Sequence, residues 1–176
     1  MIYLIAIGSN SHSRFGSPIN NLKNSIKFLE TKNIQVLKKS SIYLSPPKDF
    51  RKAAGTFYNA VIMVNTSLKP KNLLRELKKI ESLMGRHKYK KNTSRTCDLD
   101  IILHKSKDII RDDTSELTCF IPHPEMCNRN FVMAPLTEIC PNWWHPIEEK
   151  SILTISKKKS LQIGCLKPQM CYKIQI

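Results

Sequence analysis

The chain has 176 residues, one domain's worth of sequence and enough to bury roughly two-thirds of the surface its unfolded form exposes. Hydrophobic content of 41% and charged content of 24% are ordinary for a globular protein, and no run approaches the roughly 18 apolar residues of a membrane span. The balance of charge is less ordinary: 29 Lys and Arg against 14 Asp and Glu leave a net +15, a field that attracts a nucleoside triphosphate, a nucleic acid or an acidic membrane without choosing among them.

The opening Met1 to Ile7 is apolar, lacks a basic start and runs into Gly8-Ser9-Asn10, so it reads as a first strand over Tyr3 to Ile7 and not as a signal peptide. A polar loop follows to Pro18. Leu22, Ile26 and Leu29 recur at helical spacing and predict a helix over Ile19 to Thr31. Ile34 to Leu44 has the pattern of one strand broken by polar residues and stopped at Pro46-Pro47. After a charged loop, Phe57 to Thr66 is rich in β-branched and aromatic residues and predicts the next strand. Lys69-Pro70 opens a second helix, marked by Leu73, Leu74, Leu77, Ile80 and Met84 and closed by Gly85.

A basic loop from Arg86 to Arg95 leads into a strand over Cys97 to Leu103, with Asp108 to Ile110 as a short partner. The chain then reads as irregular through Pro122, helical over Phe131 to Ile139, and poor in signals near its end, where Lys157-Lys158-Lys159 reads as a solvated face. The order strand, helix, strand, strand, helix, strand implies an α+β, ferredoxin-like sandwich: a mainly antiparallel sheet with helices on one face. The six cysteines form no C-x-x-C pair and no zinc-finger spacing, so they are expected as reduced, buried thiols in the cytoplasm.

The sharpest chemical feature is Asp98-Leu99-Asp100 inside an apolar strand. Residues two apart on a strand share a face, so both carboxylates project together while Leu99 and Ile101 face the other way. Two adjacent carboxylates repel each other and resist desolvation unless a cation joins them. Their hard oxygens suit magnesium, which takes its remaining ligands from water and substrate phosphates. The bland alternative is an exposed edge pair tied to nearby Lys or Arg. Arg86, Lys88, Lys90, Lys91, Arg95 and Arg129 are candidate phosphate donors, although lysine-rich loops are commonly just solvated.

There is no G-x-x-x-x-G-K-[ST] loop, no G-x-G-x-x-G and no G-x-S-x-G elbow, so any nucleotide phosphates must be held by side chains and metal. Phe57-Tyr58-Asn59 and Asn128-Arg129-Asn130-Phe131 offer aromatic walls and amides to a flat heterocycle, with core packing as the rival reading for both phenylalanines. His123, between two prolines, is rigidly presented, and a lone loop histidine is usually structural.

Together these segments resemble the 6-hydroxymethyl-7,8-dihydropterin pyrophosphokinases. The resemblance rests on Ala6 to Asn10, Ser40 to Pro47, Phe57 to Val61, Ile80 to Arg86, Arg95 to Ile101, Ile121 to Pro124 and Asn128 to Leu136, in the family's order. It implies transfer of a diphosphate from ATP to the pterin hydroxymethyl group in folate biosynthesis. It also implies two magnesium ions on Asp98 and Asp100. Arg86 and Arg95 are then catalytic beside the acid pair. Glu81, Arg86, Lys88, Arg95, Ile101, His123 and Arg129 match the ATP site, and Ser45, Pro46, Phe57, Asn59 and Phe131 the pterin pocket.

The resemblance extends to about Pro146. Residues 1–146 are therefore expected to form the enzyme domain, and 147–176 a basic, peripheral or weakly ordered tail. The expected state is a cytoplasmic monomer with small-molecule substrates and no nucleic-acid or membrane partner. Many relatives carry Trp-Gly-Pro-Arg before the aspartates, whereas this chain has Asn92-Thr93-Ser94-Arg95, and neither Trp143 nor Trp144 lies in that place. The alternatives are a basic ferredoxin-like nucleic-acid module, which needs strand aromatics in a pattern absent here, and a catalytically impaired relative.

Overall fold

The structure, a computed structural model, describes residues 1–47, 55–86, 94–106, 108–114, 117–162 and 172–174. Strand β1 (Ile2–Ser9) alternates Tyr3, Ile5 and Ile7 toward one core with Leu4 toward another. Helix α1 (Pro18–Glu30) starts at Ser17, whose side chain accepts from Asn20 N, with Pro18 pre-setting the first turn. Strands β2 (Gln35–Lys39), β3 (Ile42–Ser45) and β4 (Phe57–Asn65) follow, then α2 (Pro70–Leu83). Gly85, at φ 87°, supplies the left-handed turn that ends α2 and delivers Arg86.

Strand β5 (Asp98–His104) completes the framework. The main sheet is antiparallel in the order β10-β3-β4-β1-β5, where β10 is Tyr172–Ile174, and β2 also pairs with β4. This is the ferredoxin-like α+β sandwich that the order of elements implies.

Both faces of the sheet are covered, not one. Tyr3, Ile5, Ile7, Ile62, Val64, Leu99 and Ile101 pack with α1 and α2. On the reverse face Leu4, Val61, Met63, Ile102 and Leu103 pack with α3 (Asn130–Ile139) and α4 (Ile152–Gln162). A register shift at Leu4/Ile5 lets β5 send Ile101 to the first core and both Ile102 and Leu103 to the second. An RNA-recognition module needs that second face open.

Ile34 to Leu44 forms two strands, not one. Ser40 N donates to Val61 O (2.9 Å) and Ser40 Oγ accepts from Val61 N (2.9 Å), so this residue closes the ladder and redirects the chain into β3. The stretch read as irregular holds a hairpin of β6 (Ile110–Thr114) and β7 (Leu117–Ile121), so the short partner after β5 pairs forward and not back. Its polar Arg111, Asp112 and Asp113 hide the strand signal.

Across Pro146, β8 (Trp144–His145) pairs with β9 (Lys150–Ser151), and beyond it α4 buries Ile152 and Ile155. The expectation of a peripheral tail is therefore corrected for this segment: two isoleucines three apart are a short signal, easily lost beside a lysine run. Ile152→Ala is expected to cost about 2–5 kcal/mol, read as a lower thermal midpoint; a change below about 0.5 kcal/mol would contradict its place in the core. Cys97, Cys119, Cys127 and Cys140 are buried thiols as expected; burial pushes Cys140 up to about 12, so it stays protonated and inert. Cys165 and Cys171 lie outside the described residues.

Candidate active site

One rung of the sheet organises the site. Gly8, in the centre, pairs with Asn59 of β4 on one side and Asp98 of β5 on the other. All three turn toward the face covered by α3. There, with Ser45, Pro46, Phe57, Asp100, Arg95, Arg129 and Phe131, they line a cavity of about 180 Å³. The sequence reading of Asp98 and Asp100 as neighbours on one face matches the coordinates, since both line this cavity while Leu99 and Ile101 are buried behind them.

The apolar end is built around Asn59. Its Nδ2 donates to Ser45 Oγ (3.0 Å), Tyr43 O (3.4 Å) and Phe57 O (3.4 Å). Those bonds fix the amide and leave Oδ1 over Gly8, where a Cβ would lie only 3.3 Å from it and 3.8 Å from Asp98 Cβ. Phe57 and Phe131 stand half-buried at the cavity wall, and Phe131 also packs against the second core.

The polar end is a compact ion network. Arg86 donates to Asp98 Oδ1 at 2.6 Å and also to Glu81, while Arg95 donates to Asp98 Oδ2. Burial alone pushes the Asp98 carboxyl up, but Arg95 and Arg86, helped by Lys78, hold it below the usual carboxylate range. Among the described residues Asp100 has only looser partners, Lys78 at 3.7 Å and Arg129 at 3.9 Å. Glu81 is nearly fully buried; desolvation raises its pKa against the opposing pull of Lys78 and Arg86. It stands on the α2 side, as does Ile101, so neither lines the cavity.

Arg95 is itself pinned by the turn after β1. Asn10 Oδ1 accepts from Arg95 N (2.6 Å), Asn10 N donates to Arg95 O (3.0 Å), and Asn10 Nδ2 donates to Gly55 O (3.2 Å). Buried Asn21 of α1 supports that turn through Ser9 Oγ and Ser11 O. Lys88, with Lys90, Lys91, Asn92 and Thr93, lies outside the described residues.

His123 borders the same region. Its N donates to Ile102 O (2.9 Å), and its Nδ1 accepts from Glu125 N (3.1 Å), so the neutral ring carries its proton on Nε2. Desolvation lowers its pKa against the pull of Asp100, and burial likewise lowers His104 and His145. A histidine with a depressed folded pKa leaves the folded state short of protons relative to the unfolded chain. Stability is then full above the ordinary value of 6.5 and lost as pH falls below it. The thermal midpoint is expected to be flat from about pH 8 to 7 and to fall progressively toward pH 5. His145→Asn, which keeps an acceptor for the Glu148 N–H, should flatten part of that fall; a midpoint constant down to pH 5 would contradict it.

Sequence reasoning missed Lys78 and Gly8 as parts of the site. Lys78 sits one turn before Glu81 on a helix rich in lysine, so nothing in its spacing singles it out. Gly8 entered as part of a turn and of the matching segment Ala6 to Asn10, with no role of its own.

The residues suit magnesium by donor chemistry. Both side chains offer oxygen only, and Asp100, with no partner nearer than 3.7 Å among the described residues, lines the cavity. Among the described residues no third His, Cys, Asp or Glu joins them. A closed all-protein cage is therefore not built there, and the remaining positions fall to water and phosphate, as magnesium prefers.

Comparison with known proteins shows the family. The family model described as 7,8-dihydro-6-hydroxymethylpterin-pyrophosphokinase (HPPK) matches residues 4–141. The folic acid synthesis protein FOL1 of Dictyostelium discoideum is 40% identical over 145 residues, which is 82% of this chain and 20% of that protein. The 2-amino-4-hydroxy-6-hydroxymethyldihydropteridine pyrophosphokinase of Aquifex aeolicus is 34% identical over 164 residues, covering 93% and 95% of the two chains. The chain thus spans about a fifth of FOL1's length but nearly all of the Aquifex enzyme's. The crystal structure of wild-type Plasmodium falciparum HPPK-DHPS with SDX-DHP shares the fold, with a TM-score of 0.79 at 14% identity over 99% of this chain and 48% of that one. Fold, cavity and matched span converge: the chain belongs to the 7,8-dihydro-6-hydroxymethylpterin-pyrophosphokinase family.

Proposed function

We propose that the chain transfers diphosphate from ATP to the hydroxymethyl group of 6-hydroxymethyl-7,8-dihydropterin, giving AMP and the pterin diphosphate in folate biosynthesis. The observation that carries this reading is the single rung Asn59–Gly8–Asp98, which sets an amide for a heterocycle beside an acid pair for a phosphate-bound cation.

In this reading Asn59 Oδ1 accepts from the ring edge, and Phe57 and Phe131 stack on its faces. Ser45 and Pro46 close the end of the pocket. The hydroxymethyl arm then lies over Gly8 and points along the rung. Arg86, Arg95, Arg129 and the Nε2 proton of His123 hold phosphate oxygens, together with Lys88, while Glu81 and Ile101 back the nucleotide half from the α2 side. Asp98 and Asp100 would hold two magnesium ions, which when bound neutralise phosphate charge at the attacking and leaving oxygens.

The hydroxymethyl oxygen attacks the β-phosphorus in line, the bond from that phosphorus to the α-phosphate oxygen breaks, and AMP leaves with the electron pair. The hydroxyl proton passes to solvent. The chain contributes orientation and charge, with no covalent enzyme intermediate. The unit proposed for this chemistry is residues 1–146, with the following segment packing against it. We place it as a monomer in the cytoplasm, the compartment that keeps its buried cysteines as thiols.

The test is product analysis. AMP release from ATP should require both magnesium and the hydroxymethyl-dihydropterin. ADP as the product, AMP release without the pterin, or salt-sensitive RNA retention with no turnover would each overturn the assignment.

A further inference from the structure

Strand β5, which carries both aspartates, is the free edge of the main sheet. An edge strand turns every second residue's N–H and C=O away from its only neighbour, where they need another partner. The residue so placed between the two aspartates is Leu99. Its N–H donates to Glu81 Oε1 at 2.7 Å, and its C=O accepts from Lys78 Nζ at 3.3 Å. Lys78 and Glu81 lie three apart on α2 and bond each other at 3.0 Å, so together they present one acceptor and one donor, as a residue of a neighbouring strand would.

We propose that Lys78 and Glu81 are a positioning pair that stands in for a missing strand beside Leu99, fixing the backbone that aims Asp98 and Asp100. This rests on the reading of that acid pair as the reaction centre. The physical case is leverage. The two carboxylates hang from residues on either side of Leu99, so any rotation of its peptide planes swings both, and a misplacement on the order of 1 Å is costly in catalysis. Regular pairing with β1 holds one side of β5 only. The pair also ties the strand to the ion network, because Glu81 accepts from Arg86, which donates to Asp98, while Lys78 reaches Asp100 at 3.7 Å. A helix that covers the edge also blocks another chain from pairing there.

Two measurements on the 176-residue chain decide this. The first is exchange of the Leu99 amide hydrogen in the free protein, followed by NMR without metal or nucleotide. Glu81→Ala is expected to speed it roughly 10–100-fold, whereas Glu81→Gln, which keeps a carbonyl acceptor, should stay near the wild-type rate. Amides of Ile5 and Ile62 in the central strands report whether the fold survives. Lys78→Met retains the stem of a one-third exposed side chain and so stays folded even where Glu81→Ala does not. It too should speed Leu99 exchange, by a smaller factor.

The second measurement is the split between kcat and KM. Glu81→Ala and Lys78→Met should lower kcat roughly 10-fold or more with the KM for ATP within about 3-fold, and Glu81→Gln should recover much of kcat. Unchanged Leu99 exchange in both Lys78→Met and Glu81→Ala overturns the proposal. So does a raised KM for ATP at constant kcat, which is what direct nucleotide contact predicts. If the wild-type chain releases no AMP, the function proposed above fails while the exchange measurement still decides the role of the pair.

Discussion

Asp98→Asn and Asp100→Asn should each cut turnover by roughly 10²–10³-fold or more, yet differ sharply in stability. On the proposed reading, each removes one negative charge from the place where developing phosphate charge would be offset through bound cations. The Asp98 carboxylate also accepts from both Arg86 and Arg95 and is 19% exposed. Its loss leaves two guanidinium groups short of a partner inside the network, so about 1–3 kcal/mol of folding stability should go with activity. Asp100 is 29% exposed and touches its cations only at 3.7 and 3.9 Å, outside hydrogen-bond reach. Its replacement should cost less than about 1 kcal/mol. Turnover assays beside thermal melts separate the two. Wild-type activity in either variant would remove the metal assignment, and equal melting losses would remove the distinction drawn from the contact distances.

The second large effect is at Asn59. Asn59→Ala should raise the KM for the pterin roughly 10–100-fold while leaving that for ATP nearly unchanged. The side chain is buried, and three donor contacts hold its Nδ2 against Ser45 Oγ, Tyr43 O and Phe57 O. Truncation therefore removes the acceptor proposed to read the ring edge and also strips Ser45 Oγ of its Asn59 donor. Asn59→Asp keeps the acceptor and loses those donors, so it discriminates: if it binds pterin as poorly as Ala does, the orienting bonds matter as much as Oδ1. Pterin affinity unchanged in Asn59→Ala would empty the pocket of its proposed reader.

The framework strands and helices were legible because their signals are local. Leu73, Leu74, Leu77 and Ile80 repeat at helical spacing, and Asp98 and Asp100 alternate against Leu99 and Ile101 at strand spacing. The β6–β7 hairpin was not, because Arg111, Asp112 and Asp113 give it no apolar alternation. Helix α4 was hidden for a different reason: among its described side chains, Ile152 and Ile155 of the first turn reach the core, and lysines follow. Within the site, Asp98, Asp100, Arg95 and Asn59 could be named from motif and chemistry. The roles of Lys78 and Glu81 toward Leu99 could not, because they depend on which edge of the sheet β5 occupies, and that is a property of strand order.

Gly8 has a consequence for how two molecules can react in one fold. On the proposed reading, the amide that greets one and the acid that serves the other sit on the two strands flanking β1, and only a hydrogen atom of Gly8 projects between them. A methyl group at that spot would stand like a partition in a corridor, splitting a continuous chamber into two cells. Each cell would still admit its own guest, but the guests could no longer touch.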